Sequence, residues 1–320
     1  MERETKETES KRKILGITHN SQFHADDVFA TAFLMLAFGN TCEFIWKRVS
    51  QVPPGINDDT PDVIIYDIGG GKFDHHGENC ERRPDGSKYA AFGLVFKQYG
   101  RKLLGDNFEL FDKKFVQPID LTDNYGQEKY PNVLSSYIAS LNPLWDDDRE
   151  SSDGQFEKAV EIAKEILKRE FLTIRSKRNA EDYLRDIISK SGKDILYMPK
   201  FVHWQAVVVR ESQIKFVVFP SPRGGYNLHT VPMSLSGRTQ RIPLPEKWFT
   251  KPDDYKADKD KNYSEVIKEE NDGLIFWNRA FACFETKEQA FRAARKFIND
   301  YEANEAVDSL EHLVTSVQDL

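Results

Sequence analysis

The first half of the chain alternates short apolar runs with helix-like apolar patterns. Strands are predicted at 13–18, 43–47 and 62–67, and helices at Asp26–Phe38, Tyr89–Leu104 and Asn107–Thr122. Such alternation is typical of βαβ units, in which parallel strands are joined by crossing helices. The pattern therefore predicts a mostly parallel sheet flanked by helices.

The second half opens with a long helical pattern and then becomes rich in β-branched and aromatic runs. The helix is predicted over 155–190, and strands at 195–198, 205–209, 215–219, 226–231 and 274–277. Short turns between such runs favour antiparallel pairing. A last helix is predicted at Thr286–Tyr301, followed by an acidic segment. The fold class is therefore α/β, with a helical connector and a smaller C-terminal α+β domain that carries a largely antiparallel sheet.

A length of 320 residues suits two ordinary domains. The expected parts are a polar N-terminal tail at 1–12, a first domain at 13–150, a helical connector at 151–192, a C-terminal domain at 193–304 and an acidic tail at 305–320.

Charge and hydropathy exclude some classes of protein. A net charge of −7 argues against a generic basic coat for nucleic acid, although a local basic groove stays possible. The chain has no apolar run of about 18 residues, so no membrane span is expected. The N-terminus is charged and lacks the apolar core of a secretory signal, which predicts a cytoplasmic protein. Homo-oligomers are compatible with these features.

Polar side chains with metal-binding chemistry follow two of the predicted strands. Asp74-His75-His76 comes after the strand that ends at Asp67 and after the glycine triplet Gly69–Gly71, and the segment His19–Asp27 follows the first strand. Four of the seven histidines lie in these two clusters. Open α/β sheets bind ligands outside the carboxyl ends of their strands, so we expect the two clusters to meet.

A hydrolytic centre with two metal ions needs several oxygen and nitrogen ligands from different segments. The candidate ligands are His19, His24, Asp26, Asp67, His75, Asp120 and Asp123. Mixed imidazole and carboxylate ligation favours two Mn²⁺ ions, with Mg²⁺ or another divalent ion as alternatives. Other roles stay open at this point: Asp26 can cap a helix, Asp123 can belong to a surface turn, and some aspartates can orient imidazoles instead of binding metal.

The residues beside the ligands suggest how a phosphate would be held. His76 is a candidate phosphate contact, with the alternative that it only stabilises its loop. Arg223, Arg238 and Arg241 are candidate substrate contacts in the second domain, or else solvated loop arginines, because a guanidinium matches phosphate geometry.

The motifs resemble those of the DHH phosphoesterase superfamily, which is named after the triplet found at 74–76. The chain is most similar to the melanocyte-proliferating-gene-like exonuclease family, formerly described as metal-dependent protein hydrolases. The similar segments are 18–20, 23–27, 66–70, 73–76, 89–95, 119–120, 123–124, 231–232 and 241–248. The similarity covers nearly the whole chain.

This resemblance implies a two-domain DHH architecture with two Mn²⁺ ions in a cleft. It implies that His19, Asp26, Asp67 and His75 bind metal, that the last aspartate motif falls on Asp120 or Asp123, and that His76 faces the substrate phosphate with Asp74 as its support. Asn20 is the substrate contact of the first motif. That motif departs from the usual His-x-Asn-x-Asp-x-Asp pattern, because His24 stands near the place of the first aspartate.

The family implies exonuclease activity on RNA or short oligonucleotides, linked in eukaryotic members to nuclei and mitochondria. The leading hypothesis is a Mn²⁺-dependent phosphodiesterase, a 3′-5′ exoribonuclease or oligonucleotide hydrolase that uses a metal-activated water. The alternatives are hydrolysis of a small phosphate ester, cyclic dinucleotide or pyrophosphate, and a non-catalytic binding module that keeps metal as a scaffold.

Overall fold

A computed structural model describes residues 12–77, 80–146, 151–244, 273–275 and 280–318. The chain divides into two units, residues 1–175 and 176–320, with the boundary inside one long helix. In the described residues, no helix is long and apolar enough to cross a membrane.

The first unit is built on a three-stranded parallel sheet. Its strands are β1 (Lys13–His19), β2 (Glu43–Val49) and β3 (Val63–Ile65), in the order β2-β1-β3. The central strand pairs in register with both neighbours, so that Ile17 lies opposite Lys47 on one side and Ile65 on the other. The predicted parallel sheet is confirmed, and the carboxyl ends of all three strands lie at one edge.

Helices pack around this sheet through a core rich in phenylalanine. They are α1 (Ala25–Phe38), α2 (Ala91–Leu104), α3 (Phe108–Phe111), α4 (Gln117–Tyr125), α5 (Val133–Ala139) and the start of α6 (Ser152–Lys190). Phe33 of α1 is fully buried and makes edge contacts with Phe92 and Phe96 of α2. Rings of this size bury large apolar areas and fix the two helices against each other.

The region predicted as one helix over 107–122 is interrupted. A 3₁₀ turn at Gly105–Asn107 leads into α3, and a π-helical turn at Asp112–Val116 separates α3 from α4. Pro118 stands in the first turn of α4. Proline has no amide hydrogen to donate and its ring crowds the preceding turn, which explains why the α-helical register is lost just before it.

The second unit contains a five-stranded mixed sheet. Its strands are β4 (Ile195–Tyr197), β5 (Phe216–Pro220), β6 (Tyr226–Thr230), β7 (Gly273–Ile275) and β8 (Phe281–Phe284), in the order β4-β5-β6-β8-β7. The β4–β5 pair is parallel and the other pairs are antiparallel. Phe216 of β5 packs towards α8 (Lys287–Gln318), and its neighbour Val217 packs towards α7 (Gln205–Glu211), as alternation along a strand requires. The predicted largely antiparallel sheet is confirmed.

Two local predictions for this unit differ from the structure, and one strand was missed. The strand predicted at 205–209 is wrong, since α7 occupies it: Val207 and Val208 are buried against the sheet, and tertiary packing outweighs the strand preference of valine. Strand β8 was not predicted. The last helix continues past Tyr301 to Gln318. Residues 276–277 of the strand predicted at 274–277 lie outside the described residues. So do residues 245–248, the end of the segment 241–248 that resembles the exonuclease family.

Candidate metal centre

The first cluster extends from the end of β1 to the first turn of α1. His19 is the last residue of β1, and Asp26 and Asp27 occupy the first turn of α1, both completely buried. Asp27 Oδ1 accepts hydrogen bonds from the backbone amides of His24 (2.9 Å) and Val28 (2.8 Å). This capping arrangement satisfies free amides of the helix and leaves the other oxygen of Asp27 available.

Asp67 lies between His19, at the end of β1, and His75, in the loop that follows β3. Its Oδ2 is 3.1 Å from Nε2 of His19, and its Oδ1 is 3.1 Å from Nε2 of His75. The residue follows β3 with φ at +57°, a left-handed conformation that costs free energy for most side chains and that aspartate tolerates better than most. Its backbone amide donates to the Phe73 carbonyl at 3.0 Å, which holds the turn.

Asp74 organises the loop that carries the two adjacent histidines. Its Oδ2 accepts from the amide of Gly70 (2.7 Å), and its Oδ1 accepts from the amide of His76 (3.1 Å) and lies 2.7 Å from Nδ1 of the same ring. Gly70 has φ at +69°, which glycine adopts without strain. The side chain of His76 is 64% exposed, so its ring faces solvent beside the buried carboxylates.

His75 connects Asp67 with the carboxylates of α1 and α4. Its Nε2 lies 3.4 Å from Oδ2 of Asp26 and 3.3 Å from Oδ2 of Asp123. Its Nδ1 lies 3.4 Å from Oδ1 of Asn124, whose amide group donates to the carbonyls of Tyr89 (3.1 Å) and Asp120 (2.9 Å). The amide of Asn124 is thereby oriented so that its oxygen faces the Nδ1 of His75, and Nε2 is directed towards the carboxylates.

The side chains form three groups with ligand atoms within 4.8 Å of one another. The groups are His19–Asp27–Asp67, Asp67–His75–His76 and His24–Asp26–Asp123. Asp67 belongs to two of them, which is what a carboxylate that bridges two ions would require.

Burial and mutual repulsion perturb the charges of the centre. Burial would raise the pKa of Asp26, but the hydrogen bond and the charge of His75 lower it to about 2. Burial likewise opposes a charge on His75, yet Asp26 and Asp67 raise its pKa to about 11. Burial and the neighbouring Asp26 charge raise the pKa of Asp123 to about 9, and burial with Asp26 and Asp67 raises that of Asp27 well above its usual range. Without a cation, the centre holds more negative charge than the buried site stabilises.

The surroundings of the buried carboxylate oxygens also indicate that the centre binds cations. Oδ1 of Asp26 and Oδ2 of Asp27 are buried with no hydrogen-bond partner among the described residues, and the buried Oδ1 of Asp67 faces Nε2 of His75 at 3.1 Å. An unpaired buried oxygen is costly, and a divalent cation would satisfy all three. Carboxylate and imidazole donors suit Mn²⁺ and other first-row divalent ions, without selecting one of them.

The structure brings together most of the predicted ligands. Those that meet are His19, His24, Asp26, Asp67, His75 and Asp123, with His76 and Asp74 beside them. Asp27 was not among the predicted ligands. Its signal in the sequence was the pair of adjacent aspartates at the predicted start of α1, of which one was taken as the ligand.

Asp120 does not join the three groups. Its Oδ2 lies 2.7 Å from Nη2 of Arg83, and its Oδ1 accepts from the amide of Gly93 at 3.1 Å in the first turn of α2. Burial raises the pKa of Asp120 to about 7 against the opposing charge of Arg83. The contacts of Asp120 with Arg83 and with a helix N-terminus are sufficient to explain its position without a metal ion.

We expect Gly93→Ala to destabilise the first unit. A Cβ atom at Gly93 would lie 1.9 Å from Oδ2 of Asp120, so the carboxylate would have to move away from Arg83. Overpacking of this kind costs about 1–3 kcal/mol, which thermal unfolding of the metal-free protein would measure. A melting temperature equal to that of the wild type would show that Asp120 is not held there.

The predicted substrate contacts have different surroundings. Asn20 is exposed, and so are Arg223 in the turn after β5 and Arg238. Arg241 is partly buried and donates to the carbonyls of Ile214 (2.6 Å) and Val209 (2.9 Å), which engages its guanidinium within its own unit.

Comparison with known proteins agrees with the motifs on which the resemblance rests. A model of the MYG1 exonuclease family, described as the uncharacterised protein family UPF0160, matches residues 15–298. The chain belongs to this family. The match extends across both units of the structure.

Individual members of the MYG1 family are similar at a moderate level. A mouse MYG1 exonuclease is 25% identical over 282 residues, covering 72% of each chain. A MYG1 protein from Dictyostelium discoideum is 27% identical over 282 residues, covering 74% of this chain and 84% of its own, and one from Saccharomyces cerevisiae is 28% identical over 284 residues, covering 72% and 81%.

Among solved structures, the pGpG-specific phosphodiesterase PggH from Vibrio cholerae matches with a TM-score of 0.28 and 13% identity, over 91% of this chain and 99% of that chain. A TM-score of this size supports no conclusion about fold or function.

Proposed function

We propose that this MYG1-family protein is a metal-dependent phosphodiesterase that cleaves RNA or short oligonucleotides. The observation that carries the proposal is the convergence of buried carboxylate oxygens of Asp26, Asp27 and Asp67 with histidine nitrogens, next to the exposed ring of His76. The names of the mouse and human relatives as exonucleases support the nuclease and phosphoesterase class.

Two ions would be held by residues from three loops. His19 and Asp27 would bind one ion, and His24, Asp26 and Asp123 the other, with His75 between the carboxylates. Asp67 would contribute to both subsites, because its Oδ2 faces His19 and its Oδ1 faces His75. Bound cations supply Lewis-acid activation of water and neutralise the charge that develops on phosphoryl oxygens. The presence of the whole ligand set argues against a binding module that has lost its chemistry.

His76 would bind the substrate phosphate. Asp74 accepts from Nδ1, so Nε2 is the nitrogen that faces the substrate, and it donates to a phosphate oxygen when the ring carries both protons. The same carboxylate fixes the loop through the amide of Gly70, which keeps the ring in place before substrate arrives. Positioning of this kind lowers the entropic cost of reaching the transition state.

The finer parts of the proposal are membership of the DHH superfamily, Mn²⁺ as the ion, RNA as the substrate and 3′-5′ polarity. The Asp74–His76 triplet and its position after a parallel strand support the first of these. We further propose that residues 13–150 form the catalytic domain and residues 193–304 the substrate-binding domain, with exposed Arg223 and Arg238 as phosphate contacts.

A cleavage assay tests this function. The full chain with Mn²⁺ is incubated with 3′-labelled and 5′-labelled RNA and DNA oligomers, dinucleotides, cyclic dinucleotides and pyrophosphate. Single-nucleotide steps from a 5′-labelled RNA are expected, because a 3′-5′ exonuclease shortens the unlabelled end. Hydrolysis of only the dinucleotides, cyclic dinucleotides or pyrophosphate would show that the substrate is a small phosphate ester or anhydride. The absence of any turnover would exclude a phosphodiesterase.

The matched control is His76→Gln, which retains the ligand set. It should keep bound Mn²⁺ and raise KM for oligonucleotides, as expected when a phosphate contact is lost.

A further inference from the structure

A buried arginine lies behind the first metal-binding loop. Arg48 is the penultimate residue of β2, and its side chain is completely buried. A buried guanidinium is tolerated only where its hydrogen bonds are satisfied. The partners of this side chain therefore indicate what its position serves.

Two of these partners are in the loop that follows β1. Nε of Arg48 donates to the carbonyl of His19 at 3.1 Å, and Nη2 donates to the carbonyl of Ser21. The two carbonyls lie on either side of Asn20, so the planar guanidinium holds both ends of a three-residue segment. A fork with fixed geometry restricts such a segment far more than a single point charge does.

The other contacts hold the arginine itself. Nη1 donates to Oγ of Ser152 (2.7 Å) and to Oδ1 of Asp153 (3.1 Å) at the start of α6. The guanidinium carbon lies 5.7 Å from the ring centre of Phe23 and 4.7 Å from that of Phe156. These hydrogen bonds and ring contacts leave the arginine little freedom to move away from the loop.

The held segment contacts the imidazole of the proposed metal ligand. Oγ of Ser21 is 2.6 Å from Nδ1 of His19, while Nε2 of the same ring is 3.1 Å from Asp67 and 3.4 Å from Asp27. A hydrogen bond at one ring nitrogen decides which nitrogen is presented to a metal and how the ring is oriented. Ser21 can do this only if its backbone is fixed, and Arg48 fixes it.

We propose that Arg48 is a positioning residue for the metal centre, which acts through the carbonyl of Ser21 and the hydroxyl of Ser21 on His19. Through this contact, His19 presents Nε2 to the subsite formed with Asp27 and Asp67. The inference rests on the proposed metal centre, but not on the identity of the substrate. A purely structural arginine, which only attaches α6 to the sheet, would affect stability and leave metal affinity unchanged.

Metal titration of full-length variants separates these two roles. The variants are Arg48→Lys, Arg48→Met and Ser21→Ala, and free Mn²⁺ is measured by electron paramagnetic resonance, with melting temperatures recorded without metal. Loss of a group that orients a ligand typically weakens metal binding about 10–100-fold. We expect a loss of this size for one of the two ions in Arg48→Lys and Ser21→Ala, with the second ion retained.

A double variant shows whether the effect passes through His19, and a core variant separates the loss of metal affinity from a loss of stability. Ser21→Ala added to His19→Gln should cause no further loss of affinity, since the contact is already absent. Phe111→Leu removes core volume where Phe111 packs against Phe96 and Phe171, so it should lower the melting temperature and keep Mn²⁺ affinity.

The inference and the proposed function fail in different ways. Wild-type affinity for both ions in folded Arg48→Lys and Ser21→Ala overturns the positioning role, even if the enzyme cleaves RNA. Additive losses of Ser21→Ala and His19→Gln also overturn it. If the wild type binds two ions and the variants weaken one, but no phosphodiester is cleaved, the positioning role stands and the proposed function falls.

Discussion

Asp67→Asn is expected to remove Mn²⁺ from both subsites and to lower phosphodiester cleavage by about 10³-fold or more, a loss of roughly 4 kcal/mol of transition-state stabilisation. Asp67 is the residue that faces both histidines of the strand ends, with one oxygen 3.1 Å from His19 and the other 3.1 Å from His75. Asparagine replaces one of these oxygens with an amide group that cannot bind a cation. Isothermal titration with Mn²⁺ and the cleavage assay measure the two effects.

Asparagine is the appropriate replacement because of the backbone at this position. Asp67 has φ at +57°, and asparagine is among the few residues that adopt this conformation readily. The variant should therefore fold, and a loss of metal would report on ligation. Alanine would combine the loss of ligation with backbone strain.

Asp120→Asn is the matched control. Asp120 is also a completely buried aspartate of the first unit, but it contacts Arg83 and the amide of Gly93. We expect this variant to bind two ions as the wild type does, because Asp120 contacts Arg83 and does not belong to the three groups of ligand atoms. Full metal occupancy in Asp67→Asn, or lost occupancy in Asp120→Asn, would contradict the assignment of the centre.

The location of the centre could be predicted from local patterns. Parallel strands place their carboxyl ends at one edge, so the histidine at the end of β1 and the aspartate after β3 were expected to meet there. His19 and Asp67 lie 3.1 Å apart, as this rule requires. Periodicity in the sequence is sufficient for this step, because it depends only on strand order and direction.

The choice between Asp120 and Asp123 could not be made in the same way. The two residues are less than one helical turn apart on α4. Which one faces the centre depends on the helical register, and the π turn at Asp112–Val116 changes that register in a way no simple apolar period predicts. Of these two aspartates, Asp123 is the one that contacts His75, with its Oδ2 3.3 Å from Nε2.

The first turn of α1 shows a similar limit. Capping of α1 was the alternative role of Asp26 beside metal binding, but Asp27 makes the bond to the amide of His24, and Asp26 accepts from the amide of Ala91 at 3.3 Å. Neighbouring aspartates are equivalent in a sequence pattern, and the packing of α2 against α1 decides between them. The same kind of tertiary contact turned the valine run at 205–209 into a helix.

Asp27→Asn is expected to separate metal affinity from stability. In the folded protein, Oδ1 of Asp27 caps α1 and Oδ2 has no hydrogen-bond partner among the described residues. Asparagine keeps an oxygen for the cap and removes the charge. Burial and the charges of Asp26 and Asp67 raise the pKa of Asp27 well above its usual range, so the neutral amide should make the metal-free fold as stable as the wild type or more stable.

The sign of this effect follows from proton binding. A raised pKa means that the folded state binds this proton more tightly than the unfolded state, so the wild-type penalty grows as pH rises above the ordinary aspartate range. Melting temperatures are therefore compared near pH 8. Asp27→Ala is the control. It loses the helix cap as well as the charge, so it should be less stable than Asp27→Asn by about 1 kcal/mol.

Addition of Mn²⁺ should reverse the order of stability between Asp27→Asn and the wild type. A ligand at 100 times its dissociation constant stabilises the folded state by about 2.7 kcal/mol. The wild type gains this stabilisation, whereas Asp27→Asn lacks a ligand of the His19–Asp27–Asp67 group and gains less. The wild type should therefore melt at or below the variant without metal and above it with metal. A variant that gains as much stability from Mn²⁺ as the wild type would show that Asp27 is not a metal ligand.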